Sequence, residues 1–231
     1  MRLVSTMVMS ENSPVTPPGA DVWTIVVAAG SGQRFGADKL SVVIDGDRTV
    51  LDVSVETAMQ ASGGVVVVLR PDDPLLHATP VAGTRFVAGG STRSESARAG
   101  LAAVPGDAQV ILIHDAARPL AGLDVYERVI AAVRDGAAAV VPVVPVVDTI
   151  RATDGALVDR DTLRAVQTPQ GFAAAALREA HTAGGEATDD AALLAERGHD
   201  VVLVDGDLRS LKITRPVDIA FITALLDDPE V

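Results

Sequence analysis

Short apolar runs alternate along the chain with longer segments whose apolar residues recur at helical spacing. Runs rich in β-branched residues and too short for a helix predict buried strands. The predicted strands are residues 23–29, 65–69, 110–113, 137–141 and 201–204. Helical spacing predicts helices at residues 50–61, 94–103, 123–135 and 173–181, with a shorter one at 188–196. This alternation predicts an α/β fold with a Rossmann-like, mostly parallel sheet flanked by helices.

Residues 1–20 differ in composition from the rest of the chain. They are rich in Ser, Asn, Thr and Pro, and their apolar piece at residues 3–9 is interrupted by Ser5 and Thr6. We therefore predict a disordered leader, followed by a single domain over residues 21–231. No later run reaches the roughly 20 apolar residues needed to cross a bilayer, so we expect no membrane partner.

Composition narrows the class of ligand. The 231 residues are 48% hydrophobic, enough for one substantial core, and carry a formal net charge of −12. Such a charge argues against nucleic acid as a partner, so a polyanionic ligand requires a locally basic pocket. The chain has no Cys, which excludes disulfides, a thiolate nucleophile and a Cys metal site. A reducing, cytoplasmic location is compatible with this composition.

A glycine loop follows the first predicted strand. Gly30 and Gly32 let backbone N–H groups approach an anion, and Arg34 and Lys39 add positive charge. Gly36 comes one residue late for the dinucleotide motif Gly-x-Gly-x-x-Gly, and the Gly-Lys-Ser/Thr of a P-loop is missing. The pattern is compatible with a phosphate-binding loop and with an ordinary strand-to-helix turn.

A second glycine turn lies at residues 89–96, ahead of a predicted helix. Ser94 is a candidate N-cap of that helix. Gly90 and Ser96 are candidate contacts to a base or a ribose. The capping and the ligand-binding interpretations are compatible with each other.

A carboxylate directly follows the predicted strand at residues 110–113. In a parallel sheet, ligands bind outside the carboxyl ends of the strands, so Asp115 is a candidate ligand of Mg²⁺ or of a hydroxyl group. The alternative is a structural Asp that caps the next turn or pairs with Arg118. We interpret the neighbouring His114 as a packing residue.

The C-terminal half contains a predicted arm and two surplus cations. The pair Asp154-Gly155 favours a two-stranded protruding arm over about residues 147–165. Arg160 lies in this arm. Lys212 lies in an alternating segment, residues 211–215, which predicts a strand just before a helix that begins with Pro.

These motifs, in this order, resemble those of the 2-C-methyl-D-erythritol 4-phosphate cytidylyltransferases over about residues 26–219. The motifs are Ala28-Ala29-Gly30-x-Gly-x-Arg34, Gly89-Gly90-x-x-Arg93, His114-Asp115-Ala116-Ala117-Arg118-Pro119, Asp148-Thr149, Thr168-Pro169-Gln170, Thr188-Asp189 and Lys212-Ile213-Thr214-Arg215-Pro216. Each motif is common, but the ordered set is specific.

The resemblance implies transfer of CMP from CTP to methylerythritol phosphate, with release of pyrophosphate and with Mg²⁺ bridging the triphosphate. Fixed cations would stabilise the charge that develops during transfer. The implied catalytic residues are Arg34, Lys39, Arg160 and Lys212. The implied CTP-binding residues are Ala28, Ala29, Gly30, Gly32, Gly90, Ser96, Asp115 and Ala116. The implied acceptor-binding residues are Asp115, Thr149, Arg160, Thr168 and Lys212, with Asp115 also the candidate Mg²⁺ ligand. In this family the arm reaches into a neighbouring subunit, which implies an arm-exchanged homodimer.

Two positions depart from the family pattern. Asp38-Lys39-Leu40 stands where members usually show Pro-Lys-Gln, and it is similar to a motif of the molybdenum-cofactor nucleotidyltransferases. Asp38 is therefore a candidate competitor for the Lys39 ammonium. Ser91 stands where an Asp commonly follows the Gly-Gly pair.

Three alternatives stay open at the level of sequence. A ribitol 5-phosphate cytidylyltransferase shares most of these motifs, and one sequence does not rank the two polyols. An NAD-dependent oxidoreductase needs an acidic residue at a second strand end about 20 positions after the loop, but Asp52 falls in a predicted helix. A CTP-binding regulatory module would retain the nucleotide pocket without the chemistry.

Overall fold

The computed structural model describes residues 19–30, 35, 38–182 and 189–227. Its strands are β1 (Val22–Val27), β2 (Val43–Asp45), β3 (Arg48–Thr49), β4 (Gly64–Leu69), β5 (Thr84–Ala88), β6 (Val110–Asp115), β7 (Ala139–Pro145), β8 (Ile150–Arg151), β9 (Leu157–Val158), β10 (Arg164–Val166), β11 (Gln170–Ala173) and β12 (Val201–Asp205). Its α-helices are α1 (Val50–Ala61), α2 (Arg93–Ala103), α3 (Leu123–Arg134), α4 (Ala174–Thr182), α5 (Asp190–Ala195) and α6 (Val217–Asp227). Short 3₁₀ helices are η1 (Lys39–Ser41), η2 (Pro74–His77) and η3 (Arg160–Thr162).

One large sheet organises the described chain. Its order is β10-β7-β11-β6-β1-β4-β5, and β12 also pairs with β7. Strands β5, β4, β1, β6, β7 and β12 run in one direction, whereas β10 and β11 run in the other. The predicted class, a mostly parallel sheet flanked by helices, is confirmed. The parallel strands β1, β4, β5 and β6 therefore end at one edge, which is where the site lies.

Helices cover both faces of the sheet. On one face, α2, α4 and α5 pack over residues such as Ile25 and Val66, and on the other, α1 and α3 pack over Val26 and Val67. Neighbouring residues of a strand point to opposite faces, so β1 and β4 contribute to both cores. All six residues of β4 are buried, which explains its uninterrupted apolar sequence.

Most of the predicted elements are confirmed with small shifts at their ends. Helix α1 has the predicted bounds, because Thr49 and Asp52 form a capping box at its start. The prediction of Ser94 as N-cap is wrong: Thr92 caps α2 and pairs with Glu95 in a second capping box. The predicted strand at residues 211–215 is also wrong, since this extended segment pairs with no strand of the described chain.

The predicted arm has a small hairpin at its centre. Strand β8 pairs with β9, and Gly155 adopts a positive φ of 90° in the turn between them. Strand β10 then returns along the end of β7. Val147 and Leu157 are 75% and 67% exposed, so the arm leaves apolar side chains outside the core.

Two predictions fall on residues outside the described ones. These are the leader, up to residue 18, and the part of the glycine loop that holds Gly32 and Arg34. Within the described residues, no helix is both long and apolar enough to cross a membrane.

Candidate active site

A cleft of about 620 Å³ opens at the edge where the parallel strands end. The loop after β1 and the end of β6 form its floor, and the turn after β5 forms a wall at one end. Its lining residues are Val27, Ala28, Ala29, Gly30, Phe35, Lys39, Leu40, Gly90, Ser91, Thr92, Arg93, Ser96, Asp115, Ala117, Lys212 and Thr214. The structure therefore brings together most of the residues that the sequence assigned to a nucleotide.

The cleft is locally basic in an acidic chain. Among its described lining residues, three are cationic, namely Lys39, Arg93 and Lys212, and one is acidic, Asp115. The whole chain has a formal net charge of −12. A cleft with this charge attracts a polyanion that the remaining surface would repel.

Asp115 is the last residue of β6, which extends two residues beyond the predicted strand end at residue 113. Its Oδ2 lies 2.5 Å from the Lys212 Nζ, and its Oδ1 lies 4.0 Å from the Arg93 Nε. Burial acts to raise the pKa of Asp115, but Lys212 and then Arg93 outweigh this, so the pKa lies below its ordinary value. The carboxylate is thus ionised at neutral pH.

The two cleft lysines are joined through the backbone. The Lys39 ammonium donates a hydrogen bond to the carbonyl of Ile213, at 2.6 Å, and Ile213 directly follows Lys212. Ile213 is fully buried, and its N–H donates to the carbonyl of Ala117, at 2.8 Å. The anchored segment around Ile213 therefore positions two cleft cations from distant parts of the chain. It carries Lys212, and it accepts a hydrogen bond from Lys39.

The turn after β5 is held by hydrogen bonds within itself. The Gly90 N–H donates to the Ser96 Oγ at 3.2 Å, and the Ser91 N–H and hydroxyl donate to Glu95 at 2.7 and 2.6 Å. A Cβ on Gly89 would lie 2.6 Å from the Cβ of Ala29, so the absence of a side chain lets this turn approach the loop after β1. The turn is a rigid wall at one end of the cleft.

Arg93 is a cleft residue to which the sequence analysis assigned no role, although it belongs to one of the quoted motifs. Its Nη1 lies 2.6 Å from the Oδ2 of Asp190, a residue that is 1% exposed. The His181 Nε2 lies 3.1 Å from the other oxygen of Asp190. Burial acts to raise the pKa of Asp190, but His181 and Arg93 lower it by more, and the carboxylate stays ionised. The Arg93–Asp190 pair thus joins α2 to α5, and the His181–Asp190 contact joins α5 to α4.

Two predicted ligand residues lie behind the cleft rather than on its surface. Thr168 is buried, and its Oγ1 accepts the Asp115 N–H at 3.0 Å and lies 3.1 Å from the His114 Nδ1. Ala116 is fully buried and donates its N–H to the carbonyl of Val27, while Ala117 lines the cleft. Both residues thus hold the end of β6 in place, and their contact with a ligand stays a prediction.

His114 is the packing residue that the sequence predicted. It is 1% exposed, and its ring lies 5.6 Å from that of Tyr126. Burial lowers the pKa of His114 to about 4, so the imidazole is neutral at physiological pH.

The arm residues lie apart from the cleft. Thr149 and Arg160 are exposed, and neither lines the cleft. The Arg160 guanidinium donates to the carbonyl of Val147, within the arm. Their contact with the acceptor stays a prediction.

The donor set fits a magnesium ion that is held mainly by a nucleotide. Mg²⁺ commonly binds through one or two carboxylates together with substrate phosphates. Asp115 supplies one ionised carboxylate in the cleft, and no cluster of three or more acidic, His or Cys groups suited to a metal occurs among the described residues. The described residues of the cleft therefore do not form a magnesium site from protein ligands alone.

The fold and the cleft define a nucleotide-binding α/β protein of the transferase type. The dehydrogenase alternative fails on geometry, because Asp52 is committed to the capping box of α1 and Arg70, not an acid, follows β4.

Comparison with known proteins identifies the family. The family model for 2-C-methyl-D-erythritol 4-phosphate cytidylyltransferase matches residues 22–228, and the chain belongs to this family. The chain is 44% identical to the protein of that name from Rhodococcus opacus over 219 residues, covering 90% of this chain and 96% of the relative. It is 41% identical to that from Streptomyces avermitilis over 244 residues, covering 94% and 96%. The crystal structure of the Thermus thermophilus protein superposes with a TM-score of 0.75 at 36% identity, covering 88% and 98% of the two chains.

Proposed function

We propose that the protein transfers CMP from CTP to 2-C-methyl-D-erythritol 4-phosphate, giving 4-diphosphocytidyl-2-C-methyl-D-erythritol and pyrophosphate. The observation that carries this proposal is the basic cleft at the sheet edge, in which Lys39 donates to the carbonyl of Ile213 and the adjacent Lys212 pairs with Asp115. Membership of the family supports the choice of both substrates.

The reaction forms one bond and breaks another at the α-phosphorus of CTP. A phosphate oxygen of the acceptor attacks this phosphorus, and the bond to the bridging oxygen of the β-phosphate breaks, so pyrophosphate leaves with the electron pair. The phosphate oxygen carries its charge already, so no general base is required. Charge builds on the equatorial oxygens and on the leaving group, and fixed cations stabilise it.

The cleft residues divide this work by position. Lys39 follows the glycine loop and would neutralise the triphosphate, together with the predicted Arg34. Lys212 lies 2.5 Å from Asp115 and would orient the acceptor phosphate for attack. The turn with Gly90 and Ser96 forms the wall for the cytosine end. These roles convert binding energy into alignment, which is the main requirement of phosphoryl transfer.

Magnesium is the proposed cofactor. Asp115 is the described carboxylate of the cleft that would hold the ion, together with phosphate oxygens of CTP. The ion would screen the charge of the triphosphate and of the pyrophosphate that leaves.

The proposed assembly is a homodimer with exchanged arms, in the cytoplasm, where both phosphorylated substrates would be retained. The exposed apolar residues Val147 and Leu157 support a covered arm, and Thr149 and Arg160 lie outside the cleft lining, which supports their use by another subunit. The site would then contain residues of two chains.

The proposal is tested by pyrophosphate release from CTP and Mg²⁺ with purified protein, with methylerythritol phosphate or ribitol 5-phosphate as acceptor. We expect turnover with methylerythritol phosphate, and a kcat that is lowered by about 10²- to 10³-fold but still measurable in Lys39→Ala. A preference for ribitol 5-phosphate would transfer the protein to the sister activity. CTP binding without turnover on either acceptor would contradict an enzymatic role on polyol phosphates.

A further inference from the structure

The residue before the first cleft lysine is fully engaged in the structure of its own turn. Asp38 is the N-cap of η1, and its Oδ1 accepts the Leu40 N–H at 3.2 Å. Its Oδ2 accepts the Ser41 hydroxyl at 2.9 Å and lies 3.3 Å from the Arg70 Nη2. The carboxylate thus has one backbone, one hydroxyl and one guanidinium partner.

The Lys39 side chain takes a different direction from the Asp38 side chain. Its ammonium lines the cleft and donates to the carbonyl of Ile213 at 2.6 Å. The Asp38 contacts therefore close the turn that carries Lys39, whereas the sequence alone predicts competition of Asp38 for that ammonium.

Arg70 ties this turn to the rigid part of the fold. It directly follows β4, whose six residues are all buried. Its Nε also lies 3.7 Å from Asp72, a carboxylate that is 86% exposed. The Asp38–Arg70 pair thus links the Lys39 turn to the sheet edge that forms the floor of the cleft.

We propose that Asp38 and Arg70 are positioning residues for the Lys39 ammonium in the transfer reaction. The inference rests on the proposed function. An exposed ion pair of this kind adds little to stability, so its effect is expected in the placement of one cation. A displacement of about 1 Å costs up to about 10²-fold in rate when a group must meet a transition state.

The test is a double-mutant cycle on kcat for CMP transfer, with Asp38→Ala, Lys39→Ala and the double variant. We expect Asp38→Ala to lower kcat about tenfold, and Asp38→Asn to lower it less because an amide oxygen still caps η1. In the Lys39→Ala background, Asp38→Ala should cause no further loss, since the positioned group is absent.

Arg70→Gln is expected to reproduce most of the Asp38→Ala loss, and Asp72→Asn is the matched control with wild-type kcat. Equal effects of Asp38→Ala with and without Lys39 would overturn the inference, because they would indicate a general structural role. So would wild-type kcat in Asp38→Ala. Inactive wild-type protein would instead contradict the proposed function, so the two failures are distinguishable.

Discussion

The cleft and the arm hold their charged residues in opposite ways. In the cleft, Asp115 is bonded to Lys212 and lies at the end of a buried strand, and Arg93 is paired with a buried carboxylate. In the arm, Arg160 is 48% exposed and contacts the arm itself. Under the proposed exchange of arms, one chain pre-organises the cleft, and the arm of a second subunit completes the site for the acceptor.

The largest expected effect concerns the cleft. Lys212→Ala should lower kcat by about 10³-fold, because it removes a fixed cation from the reacting phosphates and leaves Asp115 without its nearest partner. Steady-state pyrophosphate release measures this. Arg134→Ala, which breaks a surface pair with Asp21, is the control with unchanged kcat. A kcat of Lys212→Ala within about threefold of wild type would contradict the assignment of the cleft as the catalytic site.

The pair behind the cleft should affect stability. Asp190→Asn should reduce the free energy of unfolding by about 3 kcal/mol, because it removes a buried charge that pairs with both Arg93 and His181, and Arg93 keeps the longer contact with Asp115. Urea denaturation at pH 7 measures this, with the exposed Asp200→Asn as control.

The effect of Asp190→Asn should also depend on pH. The folded-state pKa of Asp190 is lowered, so its contribution is present above the unfolded pKa of about 4 and is lost as the pH falls through the folded value. Wild type and variant should therefore approach each other in stability as the pH falls from about 4, and meet below the folded-state pKa. A gap that widens in acid would contradict an ionised Asp190.

A substitution in the arm should weaken use of the acceptor without changing the affinity for CTP. Arg160→Ala should lower kcat/KM for methylerythritol phosphate by about 10²-fold, because it removes a cation from the acceptor phosphate. The Kd of CTP, measured by calorimetry, should stay unchanged, since Arg160 lies outside the cleft. Arg151→Ala, which removes another cation of the arm that donates to the carbonyl of Gly155, is the control with unchanged kcat/KM. A weaker affinity for CTP in Arg160→Ala would contradict the separation between the cleft, which would bind CTP, and the arm, which would bind the acceptor.

The smallest expected effect concerns His114 and the pH dependence of the free energy of unfolding. The pKa of His114 is lowered to about 4, so the unfolded chain binds a proton more readily than the folded one between about pH 6.5 and pH 4. Wild type should lose about 1.5 kcal/mol of unfolding free energy between about pH 6.5 and pH 5 from this group. His114→Gln should remove this part of the loss, whereas the exposed His77→Gln should retain it. An unchanged pH slope in His114→Gln would contradict a neutral, buried imidazole.

The parts of the fold that the sequence predicted are those with a local signal. The capping box at Thr49 and the apolar spacing after it are both local, and α1 has the predicted bounds. Asp115 was located by the same logic, because a carboxylate at the end of an apolar run is visible without tertiary contacts.

The parts that were missed depend on contacts between distant residues. Strand β11 is four residues long and runs antiparallel between β6 and β7, and its direction follows from the path of the arm before it. Arg93 and Asp190 are 97 positions apart, and no periodicity links them. The segment at residues 211–215 alternates like a strand, but its partners are the cleft and Ala117 rather than a neighbouring strand.

The most direct test of the account is a mixed dimer in which one subunit carries Arg160→Ala and the other carries Lys212→Ala. Two affinity tags isolate the mixed species, and pyrophosphate release is compared with that of each parent. If the arm of one subunit completes the cleft of the other, one site of the mixed dimer is intact and activity should reach about half of wild type. A mixed dimer as inactive as its parents would contradict the exchange of arms.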